Sequence, residues 1–439
     1  MAEWSSSVLA ELEWRGFIKD QTHPQELDEA LASGQVTLYC GFDPTSNSLH
    51  VGSLVPMFAL SHFLRHGHAP VALVGGATGM IGDPSGKSDE RNLLDEATLH
   101  ANLAGIRAQL ERVLANTRSI ERAPRQEDAD VVVVNNHEWV GPRSFLHVLR
   151  DVGKFFKVNQ MIQKDSVRSR LESESGISYT EFSYMLIQAM DFQELFDRRG
   201  CRLQIGGSDQ WGNITAGTDL VRRTRQESVF GLTMPLLMDA KGDKFGKSTE
   251  GMNVWLDAER TSPFAFYQFW INVDDADVPT LLRRFTFFPK DKVEELSAKE
   301  GRELNDAKRE LAYHVTSLVH SPEEADRAVR ASKMLFGEEI SGLTDKELLS
   351  IFSDVPSLTI SRARLDAGVS VLDLLTELAL ESSRGKARRL LAQGGVTLNN
   401  SKKLEAIEGD YTVTPEDLTT ETSLVLRAGK KRYAVIRAE

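Results

Sequence analysis

Residues 36–53 read Val36-Thr37-Leu38-Tyr39-Cys40-Gly41-Phe42-Asp43-Pro44-Thr45-Ser46-Asn47-Ser48-Leu49-His50-Val51-Gly52-Ser53. The first seven residues form a short apolar run with a glycine, Gly41, next to its end, the pattern of a buried strand. From 49 to 66, Leu54, Phe58, Leu60, Phe63 and Leu64 fall on overlapping helical turns, and Gly67 closes the helix. The same alternation continues. A buried strand at 71–74 runs into Gly75-Gly76, and a charged helix is expected over about 93–114. A strand over 131–134 follows, then a helix over 179–196 and a strand over 201–205 that enters Gly206-Gly207. Apolar strands alternating with helices predict an α/β fold whose mostly parallel sheet is covered on both faces. Such sheets bind ligands at the carboxyl ends of their strands, where the glycines cluster.

The 439 residues exceed one ordinary domain, and 41% hydrophobic with 26% charged residues is globular composition. The first sixteen residues have no basic segment before an apolar one, so no secretory signal is expected. The apolar stretches are short or broken by glycine, and no membrane span is expected. Two cysteines, Cys40 and Cys201, give neither a disulfide framework nor a metal cluster, which fits a cytoplasmic protein. The net charge of -12 excludes a purely electrostatic nucleic-acid binder. Residues 361–439 nevertheless carry 13 Lys/Arg against 11 Asp/Glu, compatible with a local basic face for RNA.

The pattern changes after residue 248. A helical region is expected from 263 to about 336, then a linker, then a compact C-terminal unit with helices over 371–380 and 386–393 and strands over 396–398 and 424–426. The expected organisation is a Rossmann-like domain over 1–243, a signature loop and small all-helical domain over 244–336, a linker over 337–360, and an α+β domain over 361–439.

Several residues carry chemistry, each with a plainer alternative. His50 opens a helix after a strand, where free N–H groups and the helix dipole favour phosphate, and Gly52 lets backbone approach a flat ligand. A capping or surface histidine is the alternative. The run 75–88 invites comparison with a P-loop, but the required first glycine, five residues before Gly86, is Ile81. It reads instead as a Gly-rich loop in which Asp83 sits in a proline-containing turn. Lys244 and Lys247 flank Phe245-Gly246 and suit a pyrophosphate leaving group, unless the loop is merely a solvated turn. Tyr184 and Gln188 share a helical face and Asp191 lies close to it. Polar groups on an otherwise apolar helix need partners, supplied by a ligand or by an internal network.

These segments together resemble the bacterial tyrosyl-tRNA synthetase family, class I aminoacyl-tRNA synthetases, along essentially the whole chain. The most specific matches are 38–53, 71–88, 182–192, 203–216 and 244–248. The resemblance implies a tyrosine–tRNA ligase that activates L-tyrosine with ATP and Mg2+ and then loads tRNA(Tyr). It implies no protein-bound metal site, a homodimer, and a C-terminal RNA-binding domain of ribosomal-protein type. Tyr39 and Asp191 would meet the substrate phenol. Tyr184, Gln188 and Asp83 would hold its ammonium group, with Gln210 near its carboxylate. Thr45 and His50 would contact the ATP phosphates, with Cys40, Gly41, Asp43, Gly52, Ser53, Gly207 and Asp209 around the nucleotide. Lys244, Lys247 and Ser248 would close over the pyrophosphate. Arg384, Lys386, Arg388 and Arg389 would meet tRNA phosphates, where a solvated helix face is the alternative. Two positions depart from the family pattern: Ser53 stands where His or Asn is usual, and Met190 where Tyr is usual. The rival readings are a non-catalytic RNA-binding protein on this scaffold and a tryptophan-activating relative.

Overall fold

The computed structural model describes residues 4–85, 95–120, 132–173, 176–242, 245–246, 253–335, 340–352, 355–404, 410–429 and 432–439. The first unit, residues 1–261 and 269–322, is built on strands β1 (Asp20–Gln21), β2 (Thr37–Phe42), β3 (Ala69–Val74), β4 (Val132–Asn135), β5 (Cys201–Gly207) and β6 (Phe230–Met234). Their order is β1-β6-β5-β2-β3-β4. Strands β2 to β6 are parallel, and the two-residue β1 lies antiparallel on β6. β3 and β6 are buried almost throughout, as expected where helices cover both faces.

Side-chain alternation divides the strands between these faces. Tyr39, Val71, Leu73 and Val134 form one cluster with Phe192 and Leu195 of the helix Tyr179–Arg199. The Tyr39 and Phe192 rings meet edge to face with centroids 5.4 Å apart, a contact contributing about 0.5–1.5 kcal/mol beyond area burial. Ser178 caps that helix by accepting from Glu181 N–H, and Gly200 ends it in the left-handed region. The helix expected over 49–66 begins as a 3₁₀ turn, Val51–Ser53, and becomes α-helical over Leu54–Arg65. The charged helix runs over Glu96–Ile120.

The second unit, residues 262–268 and 323–439, carries β7 (Ser357–Ile360), β8 (Val369–Ser370), β9 (Val396–Leu398), β10 (Lys402–Lys403), β11 (Thr412–Val413), β12 (Ser423–Ala428) and β13 (Arg432–Ala438). Five of these form a sheet of order β10-β9-β12-β13-β7, in which only the β13–β7 pairing is parallel. One face meets Leu372, Leu375 and Leu391 of the helices Val371–Glu377 and Arg384–Ala392. The other packs Val425, Tyr433 and Val435 against Met334, Leu348, Ile351 and Phe352.

This packing differs from the expected boundaries. The stretch assigned to a linker, 337–360, contains the helix Asp345–Ile351, capped reciprocally by Thr344 and Glu347, and strand β7. Helix Pro322–Leu335 joins the same unit because Ala331 and Met334 enter its core. Helices Val278–Phe285, Lys290–Ser297 and Leu304–Val319 belong to the first unit. Among the described residues no helix is long and apolar enough to cross a membrane.

Candidate active site

Strands β2 and β5 are adjacent, and the chain leaves them toward opposite edges of the sheet. The crevice beyond their carboxyl ends is where ligands bind in sheets of this kind. A cavity opens there. It is lined by Tyr39, Cys40, Gly41, Asp43, Thr45, His50, Gly52, Ser53, Asp83, Tyr184, Gln188, Asp191, Gly207, Asp209 and Gln210, all singled out from sequence. Lys244, Lys247 and Ser248 lie outside the described residues, as does the run 86–94 that follows Ser85.

At one end the cavity is polar and deeply buried. Asp191 is 1% exposed, and its two carboxylate oxygens accept from Trp139 Nε1–H at 2.8 Å and Asn136 Nδ2–H at 3.0 Å. Burial pushes its pKa up to about 7, against the pull of those two hydrogen bonds. The Tyr39 hydroxyl is raised well above its usual value by burial, then by the Asp191 charge. That hydroxyl, Gln188 Oε1 and Gln204 Oε1 are buried without a hydrogen-bond partner among the described residues, and all three residues line this cavity. A polar ligand in this cavity would supply the missing partners.

A second network lies beside it. Asp83 Oδ2 accepts from Gln210 Nε2–H at 2.7 Å, and Asp83 Oδ1 accepts from Ser85 N–H at 3.0 Å in the expected turn. Gln210 in turn accepts from Asn213 at 3.1 Å. Asp43 takes the Tyr184 hydroxyl at 2.8 Å on one oxygen and the Thr78 hydroxyl at 2.7 Å on the other. Tyr184 is therefore held by an internal partner while still facing the cavity. Burial, then the Asp43 charge, raises its pKa well above the usual value. Burial also pushes the Cys40 thiol up to about 12, so it is neutral.

The far end is built on the loop before His50. The imidazole Nδ1 accepts from Gly52 N–H at 3.0 Å, so the proton of the neutral ring sits on Nε2. A Cβ at Gly52 would lie 2.7 Å from His50 Cε1. The glycine is thus required by the histidine ring, and not only by an approaching ligand. Gly75 and Gly76 have an analogous reason: a Cβ on either would lie 2.2 Å from Asp43 Oδ1 or Asn135 Oδ1. Ser53 makes no capping bond and faces the cavity. Helix Glu96–Ile120 cradles the loop from below, with Asn102 Nδ2–H donating to Pro44 O at 3.0 Å and Gln109 Oε1 accepting from Leu49 N–H at 2.9 Å.

The described ends of the lysine loop converge on this region. Phe245, Gly246, Asn253 and Trp255 line the cavity. Gly246 has φ 109°, a conformation that requires glycine, and its Cβ position would be 3.4 Å from Gly52 N.

Sequence reasoning missed Gln204, which lines the cavity, and Asn136, Trp139 and Asn102, which act from behind it. Asn136 and Trp139 follow the end of β4, and polar residues directly after a buried strand were the available signal. In the second unit Lys386, Arg388 and Arg389 are exposed. Arg384 is engaged with Asp373 at 3.0 Å.

Residues 31–337 match the family described as tRNA synthetases class I (W and Y), and residues 347–436 match the tyrosine--tRNA ligase SYY-like C-terminal domain. Fold and cavity together are those of a class I aminoacyl-tRNA synthetase. The chain is 46% identical over 434 residues to the tyrosine--tRNA ligase of Opitutus terrae, covering 98% of this chain and 99% of that one. Identity to the Rhodopirellula baltica tyrosine--tRNA ligase is also 46%, covering 99% and 97%. A C-terminally truncated mitochondrial tyrosyl-tRNA synthetase of Aspergillus nidulans superposes with a TM-score of 0.69 at 31% identity, covering 75% of this chain and 94% of that one. The chain belongs to the tyrosine–tRNA ligase family, and its activity is the ATP-dependent ligation of tyrosine to tRNA.

Proposed function

We propose that Tyr39 and Asp191 recognise the phenol of tyrosine, that Tyr184, Gln188 and Asp83 hold its ammonium group, and that Gln210 orients its carboxylate. The observation carrying this reading is the buried Tyr39 hydroxyl without a partner, lining the same cavity as a carboxylate fixed by Trp139 and Asn136. A phenol donating to Asp191 and accepting from Tyr39 would complete both. Phenylalanine would leave the buried Tyr39 hydroxyl unpaired and Asp191 without the phenol donor, which costs far more than a missing methylene. Tyrosyl-tRNA synthetases are themselves the reference case for such discrimination, about 10⁵-fold.

At the other end Thr45, His50 and the backbone around Gly52 receive the ATP phosphates, with Cys40, Gly41, Asp43, Ser53, Gly207 and Asp209 around the nucleotide. Lys244, Lys247 and Ser248 close on the pyrophosphate, and Mg2+ enters as part of the ATP substrate. A tyrosine carboxylate oxygen attacks the α-phosphorus in line, the bond from that phosphorus to the β-bridging oxygen breaks, and pyrophosphate leaves. The terminal ribose hydroxyl of tRNA(Tyr) then attacks the tyrosyl carbonyl and releases AMP. The carboxylate is already nucleophilic, so the protein contributes position and charge, with His50 Nε2–H donating to phosphate oxygen as charge grows.

The second unit acts as the tRNA(Tyr)-binding domain through Lys386, Arg388 and Arg389, and Arg384 is available only by leaving Asp373. A homodimer would cover the exposed apolar side chains Phe145, Leu146, Val158, Leu171 and Tyr179. The cytoplasm, where ATP and tRNA meet, is the proposed location.

Tyrosine-dependent ATP–pyrophosphate exchange tests the assignment. Exchange with tyrosine and little with tryptophan is expected, and the reverse would overturn it. Changing Lys386, Arg388 and Arg389 to Glu should spare exchange and weaken tRNA charging with a shallower salt dependence. Normal charging by that variant would refute the tRNA role.

A further inference from the structure

The His50 loop and the lysine loop are distant in sequence, yet one short antiparallel pairing joins them. Val51 N–H donates to Val254 O at 3.0 Å, Leu256 N–H to Leu49 O at 2.9 Å, and Val254 N–H to Gly246 O at 3.0 Å. His50 and Trp255 face each other as bridge partners. Their rings meet edge to face, with centroids 6.3 Å apart and planes at 78°. The Arg260 guanidinium stacks 3.3 Å from the centre of the same indole. Its Nη1 also donates to Ser46 Oγ and Asn47 Oδ1, reaching back to the start of the His50 loop. Trp255 N–H donates to Thr261 Oγ1 at 3.0 Å, and Asp257 N–H to Ser48 Oγ at 3.1 Å. Residues 254–261 therefore grip residues 46–51 at both ends.

The hydrogen bond from Gly52 fixes which nitrogen of His50 carries the proton, but one bond to a ring nitrogen does not stop the ring tilting about it. The Trp255 ring supplies a further constraint. Trp255 is only half-buried and lines the cavity, so it is not a core residue that happens to touch the histidine. We propose that Trp255, stacked under Arg260, is a positioning residue that fixes the His50 imidazole for the ATP phosphates. Through Val254 and Gly246 it ties that orientation to the base of the lysine loop. The inference rests on the phosphate-binding role of His50.

A double-mutant cycle in ATP–pyrophosphate exchange tests it, with tyrosine affinity by equilibrium dialysis reporting intact folding. Trp255→Ala should lower kcat about tenfold or more with tyrosine affinity unchanged, because misplacement of a positioned group acts on the chemical step. Trp255→Phe, which keeps an aromatic edge, should recover most of the loss. Arg260→Met should show a smaller loss of the same kind. In a His50→Gln background Trp255→Ala should cost little more, since residues acting through one another are not additive. Equal losses in both backgrounds, or no rescue by Phe, would overturn the coupling while leaving the role of His50 intact. Undiminished exchange by His50→Gln alone would overturn that role itself, and the inference with it.

Discussion

Gly105 sits in the middle of helix Glu96–Ile120, and its absent side chain faces the loop before His50. A Cβ there would lie 2.1 Å from the carbonyl oxygen of Asn47 and 3.1 Å from its carbon. An ordinary carbon–oxygen contact is about 3.3 Å, so Gly105→Ala must separate helix and loop by roughly 1 Å. Alanine improves helix propensity by about 1 kcal/mol, against about 1–3 kcal/mol for overpacking a tight contact. The variant should fold, with a stability change within about 2 kcal/mol of the parent. The loop cannot move freely, because Leu49 N–H is bonded to Gln109 and Pro44 O to Asn102 on the same helix. The displacement therefore falls on the segment carrying Thr45 and leading into His50. A 1 Å misplacement of positioned groups costs about 10²-fold. Exchange kcat should drop on the order of ten- to a hundredfold, while tyrosine affinity, set by strand β2 and helix Tyr179–Arg199, stays unchanged. A folded Gly105→Ala enzyme with parental kcat would refute this account of the loop.

At the buried end, Tyr39→Phe or Asp191→Asn should lower selectivity for tyrosine over phenylalanine, read as the ratio of kcat/KM values in exchange, by at least about tenfold. Unchanged selectivity would remove the pair from phenol recognition. Because the free-enzyme pKa of Asp191 is about 7, tyrosine should bind less tightly as pH falls below 7 and its acceptor protonates. Trp139→Phe removes a donor that lowers this pKa, so the inflection should move upward; a downward shift would contradict the geometry. Burial lowers His62 well below its usual value, His68 and His320 to about 4, and His314 to about 3. The unfolded chain then binds more protons below about 6.5, so stability is fully present above that pH and is lost as pH falls toward 4. Asp191, shifted upward, has the opposite sign: its contribution is present below about 4 and lost as pH rises through 7. Four histidines outweigh one carboxylate, and thermal melting should move to lower temperature between pH 6.5 and 4.5. A flat melting profile across that range would refute the prediction.

The sheet was legible because parallel strands buried on both faces read as continuous apolar runs closing on glycine, as at 36–42 and 71–76. The placement of 323–360 was not, because only long-range contacts of Met334, Leu348 and Phe352 with β12 and β13 assign it. For the cavity, the residues facing its interior could be read from helical spacing and strand ends. Those behind it could not, since Asn136 and Trp139 follow a strand with nothing local to say which carboxylate they hold. The glycines show a similar divide. Sequence indicated a close approach to backbone at Gly52 and a Gly-rich loop beginning at Gly75, and only the fold identifies the His50 ring and the Asp43 carboxylate as what approaches them.

The two donors on Asp191 have a consequence for redesign. A pocket retuned for a tyrosine analogue without a para hydroxyl would begin by replacing Asp191 and Tyr39 with apolar residues. Removing the carboxylate, however, strands the Trp139 indole N–H and takes an acceptor from the Asn136 amide, which keeps its bonds to Thr78 and Ala77. Altered substrate choice at this end is therefore a change of Tyr39, Asp191, Asn136 and Trp139 together, and libraries confined to ligand-facing positions would sample mostly enzymes with a new buried defect.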